Sequence, residues 1–298
     1  MRIGIDLGGT KVEALALDDD GQTLHKERLP TPRHDYEGTL AAIHELVRRC
    51  EEATSLTGTV GVGMPGAISP ATGLVKNANS TWLNGQPFAE DLQRVLDRPV
   101  RFANDANCLA LSEATDGAAA GAEVVFGIIL GTGVGGGLVV RNAAVIGANA
   151  VGGEWGHNML PWPEDGEYPG PSCYCGLTGC IESWLSGPAF ARDFHQVSGR
   201  EATSAQVLEW ATQGDPQAEA AWQRFERRLA RALAALINIV DPDVIVAGGG
   251  ISNVDRIYER VPALWDRWVF SDRVDTKFVR AKYGDSSGVR GAAWLWNA

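Results

Sequence analysis

The chain has 298 residues, 45% of them apolar, and a formal charge of −11 from 26 basic and 37 acidic side chains. That length accommodates two domains with separate cores, and no apolar run approaches the ~20 residues that a membrane span requires. The acidic balance, with no Lys/Arg-rich tract, disfavours a nucleic-acid partner, which would need a basic face; a small polyanion would have to be held by backbone amides, a few local cations and a divalent metal.

The chain opens with a strand, Ile3–Leu7, a turn at Gly8-Gly9-Thr10 and a strand from Val12 to Leu17 that ends at Asp20-Gly21, which together make a hairpin. Tyr36, Leu40, Ile43, Val47 and Cys50 then recur at the spacing of an amphipathic helix. Thr59–Val62 reads as the next strand. The opening theme returns with an apolar strand at Phe126–Leu130, a turn at Gly131-Thr132-Gly133 and a strand at Leu138–Val140 after a glycine run, so two halves share one plan. Pro161 to Pro171 reads as a surface loop. A second helix starts near Ala220 and carries Trp222, Phe225, Leu229, Leu233, Leu236 and Val240 on one face before Asp241-Pro242 stops it. Val244–Ala247 is a short buried strand leading into Gly248-Gly249-Gly250. Strands alternating with helices indicate an α/β architecture.

Gly61–Gly66 and Gly131–Gly136 both fit G-x-G-x-x-G, but the first runs into Pro65 and a Ser69-Pro70 turn and the second into a strand, whereas a dinucleotide site needs a helix there. No P-loop motif occurs. Gly8-Gly9-Thr10 and Gly131-Thr132-Gly133 suit phosphate, because bare glycine amides approach oxygens closely and threonine adds a donor. Each alone is equally well a plain hairpin turn. Asp6, ending the first strand, is placed to hold Mg²⁺ through water. His157 with Cys173, Cys175 and Cys180 is the ligand set of a closed zinc site; the competing reading is a disulfide with a spare thiol. Five cysteines is an odd count, and the N-terminus enters Arg2-Ile3-Gly4-Ile5-Asp6 without a signal-peptide pattern, so a reducing, cytoplasmic setting with Zn²⁺ is expected. Cys50 and Cys108 read as core residues. Glu154 and Glu182 flank the zinc loop, where a rigid turn would orient them for a sugar.

Asp6 to Lys11, Asn104-Asp105-Ala106-Asn107, Gly131-Thr132-Gly133, Glu154 to His157, the Cys173/Cys175/Cys180 loop with Glu182, and Gly248 to Gly250 stand in the order found in ROK-family sugar kinases, which the whole chain resembles. Residues 77–85 and 285–296 are more narrowly similar to the fructokinase (mannokinase) branch. The resemblance implies a two-domain actin-like/hexokinase (ribonuclease H-like) ATPase fold with an interdomain cleft. The expected small domain is 1–118 plus 286–298, and the large one 119–285 with the zinc loop.

By the same resemblance, Asp105 is the catalytic base. Asn104, Asp105, Glu154, His157 and Glu182 bind the sugar, with Asn79 as a further candidate; His157 serves zinc through one ring nitrogen and the sugar pocket with the other. Asp6, Gly8, Gly9, Thr10, Lys11, Gly131, Thr132 and Gly133 hold ATP phosphates with Mg²⁺, and Gly248, Gly249 and Gly250 lie against adenosine. On sequence alone, Asn104-Asp105 is as well a turn or helix cap. The implied activity is phosphorylation of a free hexose, D-fructose first, with mannose and glucose as further acceptors. The alternatives are a ROK glucokinase, an N-acetylhexosamine kinase or a non-catalytic sugar sensor. No winged helix-turn-helix of the ROK repressors, no nucleic acid and no membrane are expected, and a homodimer is left open. Because the phosphate turns lie far from the zinc loop in sequence, Cys175→Ser is expected to raise KM for the sugar more than for ATP.

Overall fold

The computed structural model describes residues 1–296, so the last two residues of the expected C-terminal segment, 297 and 298, lie outside it. The chain forms β1 (Arg2–Leu7), β2 (Lys11–Leu17), β3 (Thr23–Pro30), α1 (Tyr36–Thr54), β4 (Thr59–Met64), the short strands β5 (Ala67–Ile68) and β6 (Val75–Lys76), α2 (Phe88–Leu96), β7 (Val100–Asn104) and α3 (Asp105–Thr115). There follow β8 (Val124–Leu130), β9 (Val134–Val140), β10 (Ala143–Ala144), α4 (Glu182–Leu185), α5 (Gly187–Ser198), α6 (Ser204–Thr212), α7 (Pro216–Val240), β11 (Val244–Gly248), α8 (Arg256–Arg260), α9 (Pro262–Trp265), β12 (Lys277–Arg280) and α10 (Ser287–Trp294). None of these helices is long and apolar enough to cross a membrane.

Capping sets the helix bounds. Asp35 accepts from the Gly38 amide to start α1, and Asp215 accepts from the amides of Gln217 and Ala218 at 3.0 Å. That cap, with Pro216 in the first position, starts α7 ahead of the expected Ala220. The helix ends on Asp241 in the left-handed region, φ 48°.

Two five-stranded sheets have the orders β3-β2-β1-β4-β7 and β10-β9-β8-β11-β12. Taken in chain order within each sheet, both read third, second, first, fourth, fifth, which is the shared plan of the two halves. In the first, β1–β2 and β2–β3 pair antiparallel while β4 lies parallel to β1 and β7 parallel to β4.

The chain divides into two compact units, one of 1–127, 137–153 and 282 onward, the other of 128–136 and 154–281. The division expected from sequence has no place for the return of 137–153 to the first unit. Its cause is close packing: β9 begins at Val134 rather than at Leu138 and runs through the glycines, and a Cβ on Gly137 would lie 2.6 Å from the Ala106 carbonyl oxygen of α3.

In the first unit, Ile3, Ile5 and Val62 pack on Ile43 and Leu46 of α1 and Phe88 of α2. α10 approaches β1 and α3 backbone to backbone: a Cβ on Gly4 would stand 2.0 Å from the Val289 oxygen, and one on Gly291 1.7 Å from the Cys108 oxygen. In the second unit, Trp222 and Phe225 of α7 stack at 5.0 Å with Phe190 of α5 against them. The 161–171 segment is not wholly the surface loop expected, because Glu167 turns inward and is buried. It accepts from Arg228 Nε at 2.7 Å and from fully buried Arg231 at 2.6 Å. Burial alone would raise the pKa of Glu167, but the Arg228 hydrogen bond, the Glu164 amide and Arg231 together hold it below the usual range.

The glycine contacts of α10 allow a direct check. Gly291→Ala is expected to cost about 1–3 kcal/mol or more through overpacking and to lower the thermal midpoint measured by circular dichroism; an unchanged midpoint would show that α10 can shift without cost.

Candidate active site

The β1–β2 hairpin presents Gly9 and Thr10 to solvent and is tied down at its carbonyls. Thr31 Oγ1 donates to the Gly8 oxygen at 2.6 Å, the Thr31 amide to the Thr10 oxygen at 3.0 Å and Arg33 Nε to the Gly9 oxygen at 3.0 Å. With carbonyls so held, the turn is suited to offer amides to an anion. Asp6 is the penultimate residue of β1, directly opposite Glu13 across the ladder. Its pKa is pushed up to about 7, first by burial, then by the negative charges of Asp105 and Glu13, with Lys11 opposing. Glu13 is itself buried, and Lys26 Nζ at 2.9 Å, Arg28 at 3.3 Å and Lys11 Nζ at 3.4 Å surround it. Lys11, expected on phosphate, is thus paired with Glu13. That cationic set escaped the sequence reading because it is assembled by β2–β3 pairing.

Asp105 is the first residue of α3, and Asn104 caps that helix. The Ala106 amide donates at 2.8 Å to Asn104 Oδ1 and also to Asp105 Oδ1, while Asn104 Nδ2 reaches the Gly66 oxygen at 3.5 Å. The cap is therefore made by the same pair that the sequence offered for the site. Asp105 reaches solvent, yet surrounding protein displaces much of its hydration, which raises its pKa; the Ala106 amide and Asn104 oppose the rise. Two neighbouring carboxylates with raised pKa values form a hard-oxygen, anionic set that a divalent cation such as Mg²⁺ would neutralise. Asn79 is exposed on a loop shaped by Asn84, whose amide bonds both the nitrogen and the oxygen of Ala78 at 2.9 and 2.8 Å.

In the second unit, the Gly131 amide donates to the Gly133 oxygen at 3.0 Å, and Thr132 at the tip is exposed. Gly249 (φ 86°) packs on Leu130, where a Cβ would stand 2.6 Å from the Leu130 oxygen, so the glycines after β11 adjoin the turn after β8. The Glu154–His157 segment adjoins it as well. Trp155 Nε1 donates to the Gly135 oxygen at 2.8 Å, and Gly156 lies so close to Val134 that a Cβ would stand 2.1 Å from its oxygen. Glu154 is exposed. Glu182, half-buried at the start of α4, accepts from the Val134 amide at 2.8 Å. The turn and the zinc-loop region, remote in sequence, are therefore neighbours, which removes the reason to expect Cys175→Ser to spare KM for ATP.

One atom from each of His157, Cys173, Cys175 and Cys180 gathers within 4.8 Å of the others. Cys175 Sγ stands 3.6 Å from Cys180 Sγ, and Cys173 Sγ 3.7 Å from His157 Nδ1. A tetrahedron with Zn–S near 2.3 Å has edges of about 3.8 Å, so the set fits Zn²⁺. All five cysteines are free, and Cys50 and Cys108 are core residues as expected. With Nδ1 on the metal, His157 Nε2–H donates to Tyr174 Oη at 3.0 Å. The second ring nitrogen, expected to face a sugar pocket, meets this tyrosine. Tyr174 was passed over in sequence, although its place between two ligands marks it.

The ROK family profile matches residues 2–298. The chain belongs to the ROK family. Among its relatives, the N-acetyl-D-glucosamine kinase of Yersinia pseudotuberculosis serotype O:1b (strain IP 31758) is 38% identical over 299 residues, covering 99% of this chain and 98% of the relative. A ROK hexokinase from Thermus thermophilus superposes with a TM-score of 0.88 at 32% identity, covering 99% of this chain and 97% of that one. A ROK glucokinase from Streptomyces griseus in complex with glucose and AMPPNP gives 0.78 at 29% identity, covering 99% and 98%. The fold of this ROK protein is accordingly the two-domain, actin-like α/β ATPase fold.

Two outcomes follow from the geometry. Elemental analysis of protein purified without added metal should find about one zinc per chain, and Cys175→Ser should lose it and melt earlier; a zinc-free preparation with an unchanged midpoint would remove the metal from the fold. Asp6 has a folded pKa of about 7 against about 3.9 unfolded. Its charge therefore costs nothing below the lower value and progressively more as pH rises to 7. Asp6→Asn should raise the midpoint of Mg²⁺-free protein more at pH 8 than at pH 4, and an equal change at both would refute the assigned burial cost.

Proposed function

We propose that this ROK protein transfers the γ-phosphoryl group of ATP to the 6-hydroxyl of N-acetyl-D-glucosamine. The observation that carries the phosphotransfer reading is Asp105, a solvent-reaching carboxylate of raised pKa at the capped start of α3, with Asp6 beside it. In phosphoryl transfer the protein mainly orients the nucleophile and neutralises charge. Asp105 accepts the proton of the attacking hydroxyl, and its raised pKa makes it a better proton acceptor near neutral pH. Asp6 holds Mg²⁺ through water; when bound, the ion neutralises charge on the phosphate oxygens. The Gly8–Thr10 and Gly131–Gly133 turns receive the phosphates and Gly248–Gly250 the adenosine. Asn104, Glu154, Glu182 and Asn79 bind sugar hydroxyls, and Zn²⁺ would keep the His157–Cys180 region in shape, with His157 committed to the metal and to Tyr174.

The acceptor is argued from relatives. The 38% identity to an N-acetyl-D-glucosamine kinase extends over 99% of the chain, whereas the likeness to fructokinases rests on residues 77–85 and 285–296. Full-length similarity outweighs two short segments, so the acetamido sugar replaces fructose as the first choice. A panel of N-acetyl-D-glucosamine, N-acetylmannosamine, glucose, mannose and fructose, read as kcat/KM, should rank N-acetyl-D-glucosamine first. A higher value for fructose would restore the fructokinase reading, and no ADP release with any sugar would leave a sugar sensor.

Asp105→Asn keeps size and capping but removes the proton acceptor. Its kcat is expected to fall at least ~10²-fold with sugar affinity little changed; turnover near wild type would exclude Asp105 as the base.

A further inference from the structure

We propose that Glu182 is a positioning residue for the nucleotide turn, and that sugar and nucleotide affinities are coupled through its carboxylate; this rests on the kinase reading above. The segment from Glu182 to Gly187 holds the Gly131–Val134 turn at both ends. Glu182 Oε2 accepts from the Val134 amide at 2.8 Å, and the Gly187 amide donates to the Gly131 oxygen at 2.8 Å. Gly133 has to lack a side chain for this to happen, because a Cβ there would stand 2.7 Å from the same Oε2. Within the turn, the amides of Gly131 and Val134 are spent on protein acceptors. Those of Thr132 and Gly133, which donate to no protein acceptor among the described residues, are left to a phosphate.

The segment is itself well anchored. Ser183 Oγ donates to the oxygen of the zinc-loop residue Cys180 at 2.7 Å, Arg192 donates to the Ser183 oxygen, and the Arg228 guanidinium lies 4.4 Å over the Trp184 ring. Arg228 is fixed in turn by Glu167 and Asp193, each at 2.7 Å. α4 is thus a stiff mount, and its first residue divides its carboxylate. Oε2 serves the turn, while Oε1, which takes no protein hydrogen bond among the described residues, is open to a sugar hydroxyl. A hydroxyl donating to Oε1 orders the carboxylate that supports the turn, so bound sugar strengthens nucleotide binding and, by linkage, nucleotide strengthens sugar binding by the same factor.

The test is calorimetric titration of the zinc-loaded protein with Mg²⁺-AMPPNP, with and without saturating N-acetyl-D-glucosamine. Without sugar, Glu182→Ala should weaken AMPPNP binding about tenfold, the scale of losing a charge-assisted hydrogen bond. Glu182→Gln, whose amide oxygen still accepts from Val134, should stay within about twofold of wild type. Adding sugar should tighten AMPPNP binding in wild type and not in Glu182→Ala. A Glu182→Ala protein that binds AMPPNP like wild type in the absence of sugar would overturn the proposal, since a residue that only binds sugar would behave that way. Gly133→Ala gives an independent reading from the other side: it displaces the carboxylate without removing it, so KM for the sugar should rise, and an unchanged sugar KM would equally overturn the coupling. Wild-type protein that binds no AMPPNP would instead overturn the kinase reading, and the coupling with it.

Discussion

α10 meets β1 and α3 at contacts too close for any side chain, and the arrangement of the first unit depends on that approach. Gly4 and Gly291 admit the carbonyls of Val289 and Cys108, so the helix seats directly on the strand that carries Asp6 and on the helix that begins with Asp105. Two carboxylates from distant parts of the chain are held close enough that the charge of Asp105 raises the pKa of Asp6. Like charges so placed are costly. The backbone contact supplies rigidity that the electrostatics oppose, and the arrangement gains from a cation rather than from folding alone.

The second unit meets a different demand, that of orienting polar groups on loops. It does so by fastening irregular backbone to regular elements at several points: a four-ligand cysteine and histidine cluster, an inward-facing Glu167 between two arginines of α7, and a tryptophan hydrogen bond to β9. A buried ion pair contributes little net stability, because desolvation offsets the attraction, yet removing one partner is severe. Glu167 is better understood as specifying the path of 161–171 than as adding stability.

Sequence periodicity revealed α1, α7 and the β1–β2 hairpin because each carries a local pattern of burial. The His157, Cys173, Cys175 and Cys180 cluster was legible because its side-chain chemistry is rare and clustered. The start of β9 was hidden, since Gly135-Gly136-Gly137 has no side chains to alternate and its strand character comes from packing on α3. Glu167 was hidden because its partners lie 61 and 64 residues away, and the Glu182 contact with Val134 spans 48. From the residue pattern alone Asn104 and Asp105 were legible as a turn or helix cap, and only the family resemblance gave them a role in the site. Their proximity to Asp6 is a product of the β1-β4-β7 order, which no local pattern encodes.

The late position of α10 along the chain bears on synthesis. β1 and β4, which it covers, leave the ribosome more than 200 residues before it; at about 5–20 residues per second that is a delay of roughly 10–50 s. Throughout that interval one face of the first sheet, glycine-lined and without its helix, is open to other chains. Residues 154–281 meanwhile emerge as one stretch carrying most of the second unit. The unit begun first is therefore completed only when α10 emerges, and that helix sets how long the first sheet stays uncovered.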